Sequence, residues 1–169
     1  MRPFWIEVDH NLLAHNLEQI RKHTGPRKLM AVVKANAYGH GIIETATLYQ
    51  KLGVDWLAVA IAQEGIELRK AGISIPILVF GGVLQDQIRE FLDWDLEFTV
   101  SSLENLDWTE KTVQPIGKRA RVHLKIDTGM ERIGAPEYET RDFLARAAES
   151  NHLKIIGIYS HLALSLIHI

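Results

Sequence analysis

The chain contains no cysteine. That excludes a disulfide framework, a thiolate metal site and a cysteine nucleophile, and it accords with a reducing cytoplasm. No apolar run approaches the roughly 20 residues needed to cross a bilayer, and Met1–Glu7 lacks the apolar core of a signal peptide. Charge of one sign is lacking too. The formal net charge is −2, with Lys and Arg scattered among Asp and Glu. This excludes an electrostatic footprint for nucleic acid or for an anionic membrane surface. No His, Asp and Glu spacing suggests a metal site. Trp56, Trp94 and Trp108 read as packing residues, because base stacking needs a basic groove. No linker, repeat or low-complexity stretch divides the 169 residues, so one cytoplasmic domain is expected.

What is present is an alternation of short apolar runs and amphipathic segments. Phe4–Val8 reads as a short N-terminal strand, and Asp9 can cap a helix over His10–His23, stopped at Gly25-Pro26. Leu29–Val33, Trp56–Ala60, Ile77–Phe80, Glu97–Val100, Val122–Ile126 and Ile155–Tyr159 read as six strands. Helices are expected between them, over Gly41–Leu52, Gln63–Lys70, Leu84–Asp93, a stretch capped by Ser101 or Ser102, and Tyr138–Ser150. Apolar strands alternating with amphipathic helices mean a parallel sheet covered by helices. Both a doubly wound sheet and a (β/α)8 barrel satisfy the pattern. The strand count favours an incomplete TIM-type barrel of about six βα units after Leu29, since a complete one has eight and runs to about 250 residues.

Three segments carry the chemistry, each at the C-terminal end of an expected strand, where parallel α/β folds gather functional groups. The first is Ala31-Val32-Val33-Lys34-Ala35-Asn36-Ala37-Tyr38-Gly39-His40-Gly41. A lysine among apolar residues can serve as an amine nucleophile. The following glycines lead into a helix whose N-terminus can receive a phosphate. Together they suggest a phosphate-bearing aldehyde cofactor, pyridoxal 5′-phosphate (PLP). The alternative is a strand-end lysine reaching into solvent. The second segment is Lys125-Ile126-Asp127-Thr128-Gly129-Met130-Glu131-Arg132, in which Lys125, Asp127 and Arg132 can converge on a small anion or form a surface ion-pair network. The third is Tyr159-Ser160-His161-Leu162-Ala163, with a histidine that serves either structure or a site.

The string Val-Val-Lys-Ala-Asn-Ala-Tyr-Gly-His-Gly at 32–41 resembles the PLP-attachment signature of alanine racemases, and Trp5–Asp9 resembles that family's opening strand. The resemblance implies a fold-type III barrel that binds PLP through a Schiff base to Lys34. It implies that Tyr38 serves the cofactor phosphate, that Val32 and Phe80 line its pocket, and that His161 lies against the pyridine ring. Lys125–Arg132 is similar to the family's Lys-x-Asp-Thr-Gly-Met-x-Arg motif, in which the lysine (here Lys125) is carbamylated in many members. The arginine (here Arg132) approaches the cofactor's phenolic oxygen and the substrate. Glu131 stands where many members have glycine.

On this resemblance the parent enzyme interconverts L- and D-alanine for peptidoglycan, as a cytoplasmic homodimer, with Lys34 as one base. A serine or broad-specificity amino acid racemase and a non-catalytic PLP-binding module stay open as alternatives. Residues 1–163 are expected to be the N-terminal part of the barrel domain, without the family's C-terminal β-domain and inactive by themselves. Residues 164–169, Leu-Ser-Leu-Ile-His-Ile, depart from the family and resemble a translated sequencing adaptor. A non-native tail is expected there, against the alternative of an ordinary apolar terminus.

Overall fold

In a computed structural model of the protein, residues 5–163 are described. The helix α1 (His10–Thr24) begins where Asp9 accepts a hydrogen bond from the Asn11 N–H at 2.8 Å. Strand β1 (Met30–Val32) leads into a single helical turn, α2 (Lys34–Tyr38), and then α3 (Ile42–Lys51). Next come β2 (Trp56–Val59), α4 (Ala62–Lys70), β3 (Ile77–Val79), α5 (Ile88–Asp93), β4 (Glu97–Val100), α6 (Leu103–Val113), β5 (Ala120–Ile126), α7 (Glu137–Ala148) and β6 (Leu153–Ser160). The Ser102 side chain caps α6 by accepting from the Asn105 N–H. All neighbouring strands are parallel, in the order β1-β2-β3-β4-β5-β6. A doubly wound sheet would reverse direction about a switch point. Sequential order is that of a barrel, here an incomplete one of six strands among the described residues.

The period of two along each strand divides the protein into two layers. Val33, Leu57, Val59, Ile77, Val79, Phe98, Val100, Val122 and Leu124 face the helices and form the core, all nearly inaccessible to solvent. Phe91 of α5 stacks on Phe98 of β4 with ring centroids 4.9 Å apart. Residues of the opposite parity, such as Ala58, Leu78, His123 and Lys125, face the barrel interior.

Two expectations need correction. Of the strand expected over Phe4–Val8, Phe4 lies outside the described residues and Trp5–Val8 form no strand; Trp5 and Ile6 are exposed. A strand needs a hydrogen-bonded neighbour, and among the described residues none pairs with this segment. The helix expected over Leu84–Asp93 begins as a 3₁₀ turn at Gln85–Gln87, and only Ile88–Asp93 is α-helical. The expectation of a non-native tail at 164–169 lies outside the described residues.

The end of the sheet away from the strand C-termini is tied by Arg69. Its guanidinium donates to the carbonyls of Ile73 and Ile75 at 2.8 Å, Asp95 at 2.9 Å and Trp94 at 3.3 Å, joining the turns that feed β3 and β4. Arg69→Gln strands several of these half-buried carbonyls. The substitution is expected to lower unfolding free energy by about 2–3 kcal/mol, read as a lower urea midpoint at unchanged slope. A midpoint shift equivalent to under 0.5 kcal/mol, the range of ordinary surface changes, would refute the role.

Candidate functional site

Interior-facing side chains at the C-terminal strand ends enclose a cavity of about 290 Å³. Lys34, Tyr38 and Val32 enter it from β1 and the turn after it, and Phe80 from the end of β3. Lys125, Arg132 and His161 close the opposite side. These sequence-derived residues therefore meet in one cavity, from the ends of four strands, β1, β3, β5 and β6.

Lys34 is half-buried, its Nζ lying 5.3 Å from the centre of the Phe80 ring and 5.9 Å from that of Tyr38. The backbone after it is unusual. Ala35, Asn36, Ala37 and Tyr38 have φ between 51° and 56°, so α2 is wound left-handed. For residues with a Cβ this costs about 1–2 kcal/mol each, and it persists only where neighbours over-determine it. The Asn36 carbonyl accepts from the N–H groups of Gly39 and Gly41, and the Ala37 carbonyl pairs with His40 Nδ1 at 2.8 Å. His40 thus shapes the loop.

The expected phosphate site at the α3 N-terminus differs from what the structure holds. Asn36 Oδ1 already accepts the Ile42 N–H at 2.9 Å, and the Glu44 carboxylate lies over Gly41. The Ile42 N–H is thus satisfied internally, and after Lys34 it is Tyr38 of this segment that lines the cavity.

Asp127 also departs from expectation. It does not line the cavity with Lys125 and Arg132. Its carboxylate accepts the backbone N–H groups of Gly129, Glu131 and Arg132 at 2.8–3.2 Å, which hold it below the usual carboxylate range. Asp127 shapes the loop that presents Arg132. Glu131, with φ 52°, occupies a left-handed position that glycine adopts without strain.

Lys125 is 4% exposed, and its Nζ lies 5.7 Å from the Tyr159 ring centre. Burial pushes its amine below the ordinary lysine value, the Arg132 charge adds to this, and Asp127 opposes it. Burial pushes the Tyr159 phenol up, against its 2.7 Å hydrogen bond with Thr99 Oγ1.

Reaching into the cavity lining through His123 is a polar group that motif reading missed. His123 Nε2 is 2.7 Å from Glu97 Oε2, which also accepts from Trp56 Nε1 at 3.0 Å. Arg121 Nε lies 3.4 Å from Glu97 Oε1. Gly157 leaves the His123 ring its space: a Cβ there would stand 3.2 Å from Nδ1. The signal was available. Glu97 and Thr99 in β4, and Arg121, His123 and Lys125 in β5, put polar residues on one parity of each strand.

A family model described as alanine racemase, N-terminal domain, matches residues 8–167. An alanine racemase of Methanococcus maripaludis is 42% identical over 163 residues, covering 95% of this chain and 44% of the relative. One of Synechocystis is 43% identical over 161 residues, covering 94% of this chain and 43% of the relative. The chain thus spans less than half the length of these curated relatives. The solved alanine racemase of Clostridium difficile matches with a TM-score of 0.85 and 36% identity, over 90% of this chain and 41% of that one. A histidine racemase of Leuconostoc mesenteroides matches with a TM-score of 0.85 and 28% identity, over 92% of this chain and 42% of that one.

Proposed function

The chain belongs to the alanine racemase N-terminal domain family, and on that premise we propose that it forms the cofactor-binding barrel of an enzyme that interconverts L- and D-alanine. The cofactor of the family is PLP. The observation that carries the reading is the meeting of Lys34, Tyr38, Lys125, Arg132 and His161 in one cavity. That donor set fits PLP: an amine for its aldehyde, a phenol for its phosphate, a guanidinium for its phenolic oxygen, and Val32 and Phe80 as apolar walls. When bound, PLP supplies an electron sink that makes the α-proton of an amino acid removable.

The residues of this chain do the rest. Lys34 anchors the cofactor and, once its amine is free, moves the proton at the α-carbon on one face. By the family resemblance that is the face of the D-enantiomer. Arg132 offers a two-pronged donor to the substrate carboxylate. His161, in the cavity lining, would lie against the pyridine ring. Lys125, with its amine biased toward the neutral form, is suited to attack carbon dioxide. As the N–C bond forms, one C=O π pair of carbon dioxide moves onto oxygen and a nitrogen proton leaves to water, giving a carbamate anion whose charge Arg132, in the same cavity lining, would balance. The whole enzyme works as a cytoplasmic homodimer that supplies D-alanine for peptidoglycan. A tyrosine of the partner's β-domain serves the opposite face, so the barrel alone holds one of two required bases and does not racemise.

The histidine racemase match, on the same barrel, favours testing substrate breadth. The decisive experiment adds PLP to the protein, reduces with borohydride and maps peptides. The pyridoxyl mass is expected on Lys34. The barrel extended to the full length of its relatives is expected to yield D-alanine from L-alanine, faster than it racemises serine or histidine. Labelling elsewhere than Lys34 would overturn the attachment, and a preference for serine or histidine would overturn the substrate.

A further inference from the structure

Glu64 in the first turn of α4 has no part in the motifs or in the chemistry above. Its carboxylate nonetheless collects three backbone donors from two different strand ends. Oε1 accepts the Ala35 N–H at 2.6 Å, across 29 residues of sequence. Oε2 accepts the Ala60 N–H at 2.8 Å and the Ile61 N–H at 3.3 Å. The Ile61 bond is an ordinary helix-start contact. The Ala35 bond is not: it seizes the first left-handed residue directly after Lys34.

The bridge extends to the third strand end. The Ala60 carbonyl presses so closely on Gly81 that a Cβ there would lie 2.1 Å from its oxygen. Gly81 follows Phe80, whose ring faces Lys34 Nζ. Glu64 therefore sits between the two walls of the lysine's surroundings, the α2 turn on one side and the β2–α4 loop that abuts the Phe80 segment on the other. The turn itself is strained and contains no glycine among its four left-handed residues. Asn36 and His40 secure its far end. Glu64 holds its beginning.

The geometry points to Glu64 as a positioning residue: its carboxylate locks the α2 turn in the left-handed form and so sets Lys34 and Tyr38 against Phe80. Its functional consequence rests on the reading of Lys34 as the PLP-attachment residue; its structural part does not. A charged acceptor is needed because all the partners are donors. Glutamine must aim an N–H₂ group at a backbone N–H, whichever way it turns. Aspartate keeps the charge and can stay with Ala60 and Ile61, but it is one methylene too short to reach Ala35.

The test compares Glu64→Gln and Glu64→Asp with Arg69→Gln, a destabilising change at the opposite end of the sheet. Amide exchange of residues 35–38 is read without cofactor, and PLP affinity by titrating the visible absorbance of the bound cofactor. Both Glu64 variants are expected to exchange these amides at least about tenfold faster and to bind PLP about tenfold more weakly, the effect of losing one charge-assisted hydrogen bond. Arg69→Gln should leave both within twofold despite its lower urea midpoint. Unchanged exchange at 35–38 in a folded Glu64 variant overturns the proposal, as does unchanged PLP affinity. Equal losses in Arg69→Gln overturn it as well, since the effect is then general destabilisation. If Glu64→Gln fails to fold, Glu64→Asp carries the test. If the unaltered protein takes up no PLP, the proposed function fails, and the exchange data alone decide the role of Glu64.

Discussion

Lys34→Ala should abolish the visible absorbance of bound PLP and cut racemisation in the full-length enzyme by at least about 10³-fold. Two losses combine. The amine that anchors the cofactor disappears, and so does the base on one face of the substrate. A single general base typically accounts for about 10²–10⁴-fold. The fold should survive. Lys34 is half-buried at the cavity edge, and the Val33 and Ala37 side chains beside it, not Lys34, belong to the core. Lys34→Arg should fail almost as badly, because a guanidinium keeps the charge but stays protonated and is no amine nucleophile. A small amine such as methylamine, added to the Lys34→Ala protein, should restore part of the activity by entering the space the side chain left. Circular dichroism and the urea midpoint check the fold, and D-alanine formation checks the chemistry. Activity within tenfold of the unaltered enzyme in either variant would remove Lys34 from its role.

The fold was legible because two periodicities stand out in the chain. Runs such as Ile77-Leu78-Val79 are buried on both sides, as parallel strands require, and the intervening segments repeat apolar residues at helical spacing. The choice between a doubly wound sheet and a barrel was not open to local pattern, since it depends on which strands pair. The N-terminal segment misled for the same reason: Phe4-Trp5-Ile6 has strand composition, but a strand exists only beside a partner.

The site was legible as a list of strand-end residues and illegible as a geometry. Nothing in Ala35-Asn36-Ala37-Tyr38 announces four left-handed residues; asparagine alone among them tolerates that region well. The reach of Glu64 to Ala35 spans two strand ends, and no local rule predicts it. Asp127 shares the polarity of Lys125 and Arg132, and only the loop's shape turns its carboxylate onto three N–H groups. By contrast, the polar interior around His123 could have been read from strand parity, because a buried strand seldom places Arg and His at alternate positions without a shared partner.

That shared partner is Glu97, and its removal should be the largest single loss of stability outside the apolar core. Glu97 is 2% exposed, and its carboxylate joins His123, Trp56 and Arg121. Glu97→Ala leaves an indole N–H and an imidazole without their acceptor, and leaves the Arg121 guanidinium with only the exposed Asp95 as counter-charge. Breaking a buried pair by removing one partner typically costs about 3–5 kcal/mol, and Glu97→Gln, which keeps one acceptor oxygen, should cost less. The pH dependence distinguishes this from a simple cavity. Burial alone would raise the Glu97 carboxyl, but the bonds from His123 and Trp56, with the charges of His123 and Arg121, hold it below its ordinary value. Its folded pKa is therefore lower than its unfolded one. The stabilisation is complete above the ordinary carboxylate pKa and is lost as pH falls through the folded value. Urea midpoints measured from neutral pH downward should fall in the unaltered protein, and the fall should be shallower in Glu97→Gln, which has no proton to take up. Equal acid slopes in the two proteins, or a Glu97→Ala loss under about 1 kcal/mol, would mean that the barrel interior does not depend on this charge.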